Sequence, residues 1–430
     1  MFDLIVIGAG AAGLLGAGSA AEKGLKVLLL EKMEKPARKL RISGKGRCNV
    51  TNTKQHDDFL AHVYPNGEFL NAALRNFSNF DLLDFFKSLG LRTVEERGER
   101  VFPASGNAWD VADCLVKWTK KVGVETICNA KVTSLNVENN QIVSLNVEID
   151  KKEETLSAKY FMLATGGLSY PLTGSTGDGY NFAKQAGHTI TRLQPSLVPL
   201  EIKGHVNQLD KLQLKNVSLS LWVDNKYIDE EFGEMEFNKT GITGAITLRL
   251  SRQAVSAILD KKHVALQLDL KPALNVKQLE CRIVREMHSA ATSHALLRTL
   301  IPKRLIATFA KRANLQIQKP ATEKDIEKII NTLKDFSMQV SGFRGFDEAI
   351  ITAGGVDLNE IDSRTMKSKL VDNLYFAGEI IDLDASTGGY NLQIAFSTAR
   401  LAARNIEIRI NGANRADKKK MKRKKNNNEK

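Results

Sequence analysis

Phe2 to Ile7 is a short apolar run that stops at Gly8-Ala9-Gly10-Ala11-Ala12-Gly13, and a second apolar run, Val27 to Leu30, ends on Glu31. Strand, glycine turn, helix, strand and acid in that order point to a dinucleotide-binding βαβ unit. Gly8 permits the tight turn, Gly10 lets a pyrophosphate approach the backbone, and Gly13 lets helix and strand pack closely. The helix that follows turns free N–H groups and the positive end of its dipole toward the phosphates. Glu31 is placed to accept from a ribose 2′-OH and would repel a 2′-phosphate, which disfavours an NADP-type nucleotide there. The plain alternative is an ordinary βαβ turn without a ligand.

At 430 residues the chain suits two or three domains. Hydrophobic content of 43% and charged content of 26% are ordinary for a globular protein. No apolar run approaches the length of a membrane span, and no membrane contact is expected. Asp3 and the glycine turn interrupt the first apolar run, so it reads as a buried strand and not as a signal peptide. Cys48, Cys114, Cys128 and Cys281 form no C-x-x-C pair, which argues against zinc, iron–sulfur and dithiol redox centres, and no metal is expected. Scattered thiols suit a reducing compartment, and a cytoplasmic location is expected. Of the net charge of +13, residues 411–430 supply +7, from nine Lys/Arg against two acids. This polar tail lacks apolar periodicity and is expected to be disordered. Its bland role is a solvated tail; nucleic acid is the partner it would touch through charge alone.

Along the chain, residues 36–52 read as a basic, glycine-bearing loop, and Phe80 to Leu89 and Ala108 to Val122 have helical spacing. Val132 to Leu135 and Gln141 to Val147 read as strands around Asn139-Asn140, and Tyr160 to Ala164 as a strand ending at Thr165-Gly166-Gly167. After Pro195 the character changes. Strand-like stretches at Leu197–Ile202, Val217–Val223, Ile246–Leu250 and Val264–Leu270 precede helical ones at Val276–His288, Arg304–Ala313 and Glu323–Lys334. The glycine-rich style returns at Ala353-Gly354-Gly355. A strand then runs from Asn373 to Gly378-Glu379, and a helix from Gly388-Gly389 to about Ile408. The expected architecture is α/β, a discontinuous Rossmann-like domain (1–195 and 337–410) with an inserted β-plus-helical substrate domain (196–336) and the tail (411–430).

Three features favour FAD over NAD. Arg38, Lys39, Arg41, Ser43, Gly44, Lys45, Gly46 and Arg47 form a second cationic, N–H-rich loop suited to a long anionic cofactor. Thr165-Gly166-Gly167 ends a strand where the chain can approach the nucleotide. Gly378-Glu379 offers an acid for a ribitol hydroxyl, and the helix after Gly389 aims its N-terminal dipole at a flavin ring. No second G-x-G-x-x-G stands between a strand and a helix, so a dedicated NAD(P)H domain is not expected.

Long stretches carry a resemblance. They are Arg38 to Asn52 (RKLRISGKGRCNVTN), Thr165 to Pro171 (TGGLSYP), Gly174 to Tyr180, Tyr375 to Glu379 (YFAGE) and Thr387 to Ser397 (TGGYNLQIAFS). In these the chain resembles the BaiN-like family of bacterial FAD-binding oxidoreductases, which includes aminoacetone oxidase-like proteins and bile-acid reductases; all but the tail is covered. The resemblance implies a glutathione-reductase-type FAD domain with an insert. It also implies non-covalent FAD contacts at Gly8 to Gly13, Glu31, Lys32, Lys39, Ser43, Gly44, Lys45, Gly46, Arg47, Cys48, Asn49, Gly166, Gly378, Glu379, Asn391, Leu392 and Gln393, with Val132 meeting the adenine. One departure is Phe237-Asn238-Lys239-Thr240-Gly241-Ile242-Thr243-Gly244, where relatives often read Phe-Thr-His; Ala245 stands where proline is frequent. Substrate identity therefore does not transfer from any one relative.

A flavin carries its own redox chemistry, and the protein supplies position and electrostatics. The expected function is hydride transfer between FAD and a small organic substrate, an amine or an enone, with O2 or NAD(P)H as electron partner. The alternative is a flavin-containing binding or regulatory protein, RNA-associated through its tail. Tyr170, Tyr390, Lys239 and Thr240 are candidate substrate contacts, and packing or a plain turn is their alternative role. Cys48 reads as a small residue packed under its loop. His188 reads as a base or, more simply, as a structural residue after a helix. No catalytic residue is assigned.

Overall fold

The computed structural model describes residues 1–204 and 206–407; the residues read as a basic tail lie outside them. The first strand, Phe2–Ile7, sits in the middle of a five-stranded parallel sheet. The order is Leu374–Phe376, Ala158–Leu163, Phe2–Ile7, Val27–Leu30, Glu125–Ile127. Ile5 faces Phe161 on one side and Leu28 on the other. Helices and loops cover both faces of the other strands, which is why those are mainly runs of apolar residues without alternation, while Glu125 and Thr126 of the edge strand are exposed. The outer strand Leu374–Phe376 comes from the far end of the chain, as the returning glycine-rich style implied. Helix Ala11–Glu22 packs on the long helix Tyr390–Asn405 through small residues: a Cβ at Gly16 would lie 3.6 Å from that of Ala399.

Beside the sheet, Ala130–Glu138, Gln141–Ile149 and Lys152–Leu156 form an antiparallel meander. The third strand, KEETL, has no apolar alternation to read in advance. Farther along, six strands close a barrel in the order Leu200–Ile202, Gly241–Thr243, Lys226–Phe237, Gln213–Val223, Val264–Asp269, Phe336–Phe343. One sequence expectation fails here, and one strand carried no expectation. Ile246 to Leu250 is not a strand but the start of helix Ala245–Leu259, whose buried Ile246, Leu250 and Ala254 recur every four residues. A five-residue apolar run was too short to separate the two periods. The strand Lys226–Phe237 was missed because its outer face carries Glu230, Glu234 and Glu236, and only Met235 and Phe237 are buried. The helical stretch at Arg304 to Ala313 divides into a 3₁₀ turn, Lys303–Leu305, and helix Ile306–Arg312.

The barrel and its helices have their own hydrophobic core, running in sequence from Val198 to Ala349 and separate from that of the sheet. The chain enters this unit through Gln194–Ser196 and leaves through Ile351–Ala353. These two segments pair with each other, Ser196 opposite Ile351.

Candidate functional site

The turn after the first strand is built as the glycines require. Gly8 has φ +99, and a Cβ there would lie 2.6 Å from the Ala164 carbonyl oxygen. A Cβ at Gly13 would lie 1.7 Å from the Gly8 carbonyl oxygen, so helix Ala11–Glu22 touches the turn backbone to backbone. Gly10 differs: a Cβ there would meet nothing within 4 Å, because it faces a cleft. No side chain caps this helix at Gly10, which leaves its first N–H groups available at the cleft.

The cleft contains about 1270 Å³ of empty space, including open solvent at its mouth. Gly8, Gly10, Ala11 and Ala12 line one end with Glu31, Lys32 and Val132. Lys39, Ser43, Gly166, Gly378, Glu379, Asn391 and Leu392 continue the lining. Glu31 Oε2 accepts from Ala9 N–H and Oε1 from Met33 N–H, each at 2.9 Å. Burial pushes its carboxyl above the usual range, against the pull of those two donors. Lys32 Nζ pairs with Asp178 at 2.7 Å, and Gly174 and Ser175 complete that wall.

Two of the expected contact residues prove to be each other's partner. Lys39 Nζ lies 2.7 Å from Glu379 Oε2. Glu379 Oε1 accepts from Ser169 Oγ at 2.7 Å and Thr352 N–H at 3.0 Å. Ser169 stood in a recognisable stretch; Thr352 had no sequence signal, because only strand pairing brings it here.

Residues 36–52 are not simply a loop. Arg38–Ile42 is a helical turn and Ser43–Gly46 a 3₁₀ turn with Gly44 and Lys45 at φ 57. Of this segment's expected contacts only Lys39 and Ser43 line the cleft; Gly44, Lys45, Gly46, Arg47, Cys48 and Asn49 do not. Arg47 pairs with Glu96 and stacks its guanidinium 4.4 Å from the Phe102 ring. Cys48 is 0% exposed, packed under its loop, and burial pushes its thiol up to about 12. With its amide turned to satisfy both ends, Asn49 donates to Val101 and Thr51 carbonyls and accepts from Gly389 N–H. Gln393 is a buried brace that accepts from Thr51 Oγ1 at 2.7 Å and donates to the Phe77 carbonyl. Asn391 is clamped to the Ala385 backbone by two hydrogen bonds of 2.8 Å.

The four candidate substrate residues do not line this cleft. Tyr390 is buried, stacked on His62 at 4.7 Å, with its phenol pushed up to about 12 by burial. Tyr170 is half-buried in a left-handed turn. Lys239 and Thr240 are exposed in a turn that Asn238 Oδ1 closes on itself by accepting from Thr240 and Gly241 N–H. His188 is structural: its ring nitrogens meet Glu360 at 3.0 Å and Ser368 at 2.8 Å, and burial lowers its pKa. Among the described residues no cluster of His, Cys, Asp or Glu fits a metal, and no helix is long and apolar enough to cross a membrane.

The donor set suits FAD: free helix N–H groups at an open glycine for a pyrophosphate, a carboxylate for a ribose hydroxyl, and a second helix N-terminus at Asn391 for a ring with negative character. Comparison with known proteins agrees. The chain is 31% identical to the ribosomal RNA dihydrouridine synthase of Escherichia coli over 413 residues, 94% of this chain and 98% of that protein. It is 29% identical to the 3-dehydro-bile acid delta(4,6)-reductase of Clostridium scindens, over 93% of this chain and 97% of the relative. Among solved structures, the 3-ketosteroid-delta4-(5alpha)-dehydrogenase of Rhodococcus jostii shares the fold, with TM-score 0.50 and 13% identity over 94% of this chain and 95% of that one. The sequence profile of the HI0933-like protein Rossmann domain matches residues 2–405, and the chain belongs to that family of FAD-dependent oxidoreductases.

Proposed function

We propose that this protein reduces a carbon–carbon double bond conjugated to a carbonyl, and that its substrate is a uracil ring in ribosomal RNA. One observation carries the bond type. Two near-full-length relatives differ in substrate, yet a 3-oxo steroid with 4,6 double bonds and the C5=C6 bond of uridine share that unit. The net charge of +13 ranks a polyanion ahead of a free enone.

In this reading the turn Gly8–Gly13 receives the pyrophosphate, Glu31 the adenosine ribose and Val132 the adenine. Lys39 and Glu379 flank the ribitol, and Gly378, Asn391 and Leu392 meet the flavin end. Lys45, Arg47, Cys48, Asn49 and Gln393 support these residues without touching the cofactor. FAD held by these residues would supply hydride-transfer chemistry, with a nicotinamide dinucleotide as the source of two electrons and one proton completing the reduction of the double bond. The barrel unit and its helices are the cover that keeps bulk water from the reacting face.

The test uses purified holoprotein with NADH or NADPH and unmodified ribosomal RNA. Nucleoside mass spectrometry should find a uridine that has gained two hydrogens. Turnover of 4-androstene-3,17-dione with none of the RNA would assign a free enone instead. Rapid flavin reoxidation by O2 with an amine and no reduction of either substrate would sink the reductase reading.

A further inference from the structure

The barrel unit sends one cation into its junction with the sheet. Helix Ala245–Leu259 carries Arg252, whose Nε donates to both carboxylate oxygens of Asp384 at 3.0 Å. Asp384 is 0% exposed at its side chain, and its Oδ2 also accepts from Ser196 Oγ at 2.9 Å. The guanidinium carbon lies 4.7 Å from the centre of the Tyr64 ring, and Tyr64 is the strand partner of Asp384. Nε and the guanidinium face are therefore taken. The two terminal nitrogens have no hydrogen-bond partner among the described residues, and the Arg252 side chain is 24% exposed.

This junction touches the end of the cleft from two sides. Ser196 is paired with Ile351, which lines the cleft. Asp384 precedes Ala385, whose backbone clamps Asn391, another lining residue. Among the described residues nothing claims the terminal nitrogens, and solvent reaches them. Asp384 and Tyr64 instead hold the fork by its back and leave its front open.

We propose that Arg252 is the substrate-anchoring residue of this enzyme, its terminal nitrogens gripping the carbonyl oxygen conjugated to the double bond being reduced. The proposal rests on the reductase reading. Hydride addition to the far carbon of the double bond drives the displaced electron pair onto that oxygen, and a fixed guanidinium stabilises the charge there before a proton reaches the near carbon. Asp384 is a positioning residue that sets the fork's direction. An amine substrate has no such oxygen, so the site discriminates by chemistry.

The test measures the flavin absorbance shift on titrating the oxidised holoprotein with unmodified ribosomal RNA and, separately, with 4-androstene-3,17-dione. Turnover and FAD content are followed in parallel. Arg252→Lys keeps a charge beside Asp384 and loses the fork; Arg252→Met with Asp384→Asn removes the charge and its counter-ion together. Both variants should keep FAD and weaken the probe that shifts the wild type by about 10- to 100-fold, the loss of a hydrogen bond to a charged group. An unchanged shift in both variants, or no shift with either probe in the wild type, overturns the anchor. A wild-type shift that depends on Arg252 but leads to no turnover supports the anchor and overturns the reductase reading alone. Loss of FAD from both variants would assign the pair to holding the Leu383–Gly389 segment, and the proposal would fall.

Discussion

Three glycines within six residues carry different constraints, and substitution separates them. Gly13→Ala forces a Cβ against the Gly8 carbonyl, and backbone on both sides leaves no room to yield. It should lower the melting temperature of the apoprotein and abolish flavin retention together. Gly10→Ala meets no protein atom, so the apoprotein should melt as wild type while FAD affinity falls at least tenfold. Equal FAD content in Gly10→Ala and wild type would mean that the pyrophosphate lies elsewhere. Glu31 has a pH signature. Burial raises its folded-state pKa above the unfolded value, so in the window between the two the folded protein holds the extra proton. Stability from this group is therefore highest below the ordinary carboxylate range and declines as pH rises to the raised value. Apoprotein carrying Glu31→Gln should lose that decline in a melting series from pH 4 to pH 8 and bind FAD more weakly at neutral pH. These roles were legible in advance because glycine turns and strand-end acids act through local backbone geometry.

At the scale of elements, the Lys39–Glu379 pair joins the helical turn Arg38–Ile42 to the segment Gly378–Ile380 at the far end of the chain. Both side chains are largely buried, at 27% and 12% exposed. Lys39→Met leaves the carboxylate with only Ser169 and Thr352 and should cost about 1–3 kcal/mol by urea denaturation. The double variant with Glu379→Gln should recover part of that loss; strict additivity would show that the two do not couple. Sequence patterning named both residues but not their pairing, because each was read as a ligand contact from its own segment. Patterning also failed for the strand Lys226–Phe237 and for the start of helix Ala245–Leu259. In a small barrel one face of each strand is wet, and short apolar runs have no resolvable period.

For the whole molecule, two cores joined by a pair of crossing segments predict separable contributions to binding and chemistry. Truncation before Arg415 removes all of the tail's positive surplus. It should leave FAD content and flavin reduction by a nicotinamide dinucleotide unchanged. Affinity for ribosomal RNA should fall, and its dependence on salt should flatten. Loss of flavin on truncation would tie the tail to the core. Lys239→Ala and Thr240→Val, in an exposed and self-bonded turn, should leave FAD content unchanged; altered turnover in either would bring that turn to the substrate.

The sequence by itself determined the βαβ start, the returning strand and helix, and the cofactor class. Each rests on contacts within about thirty residues or on glycines that only one backbone shape explains. Tertiary structure alone decided which members of the 38–49 segment reach the cleft. Residues four apart share a face of a helical turn, so Lys39 and Ser43 both face in, while Arg47 and Cys48, beyond the 3₁₀ turn, are spent on packing. It also decided that Thr352 serves Glu379 and that Arg252 meets Asp384, a partner 132 residues away. Long-range pairs of this kind are set by how two cores dock, and no local pattern encodes them.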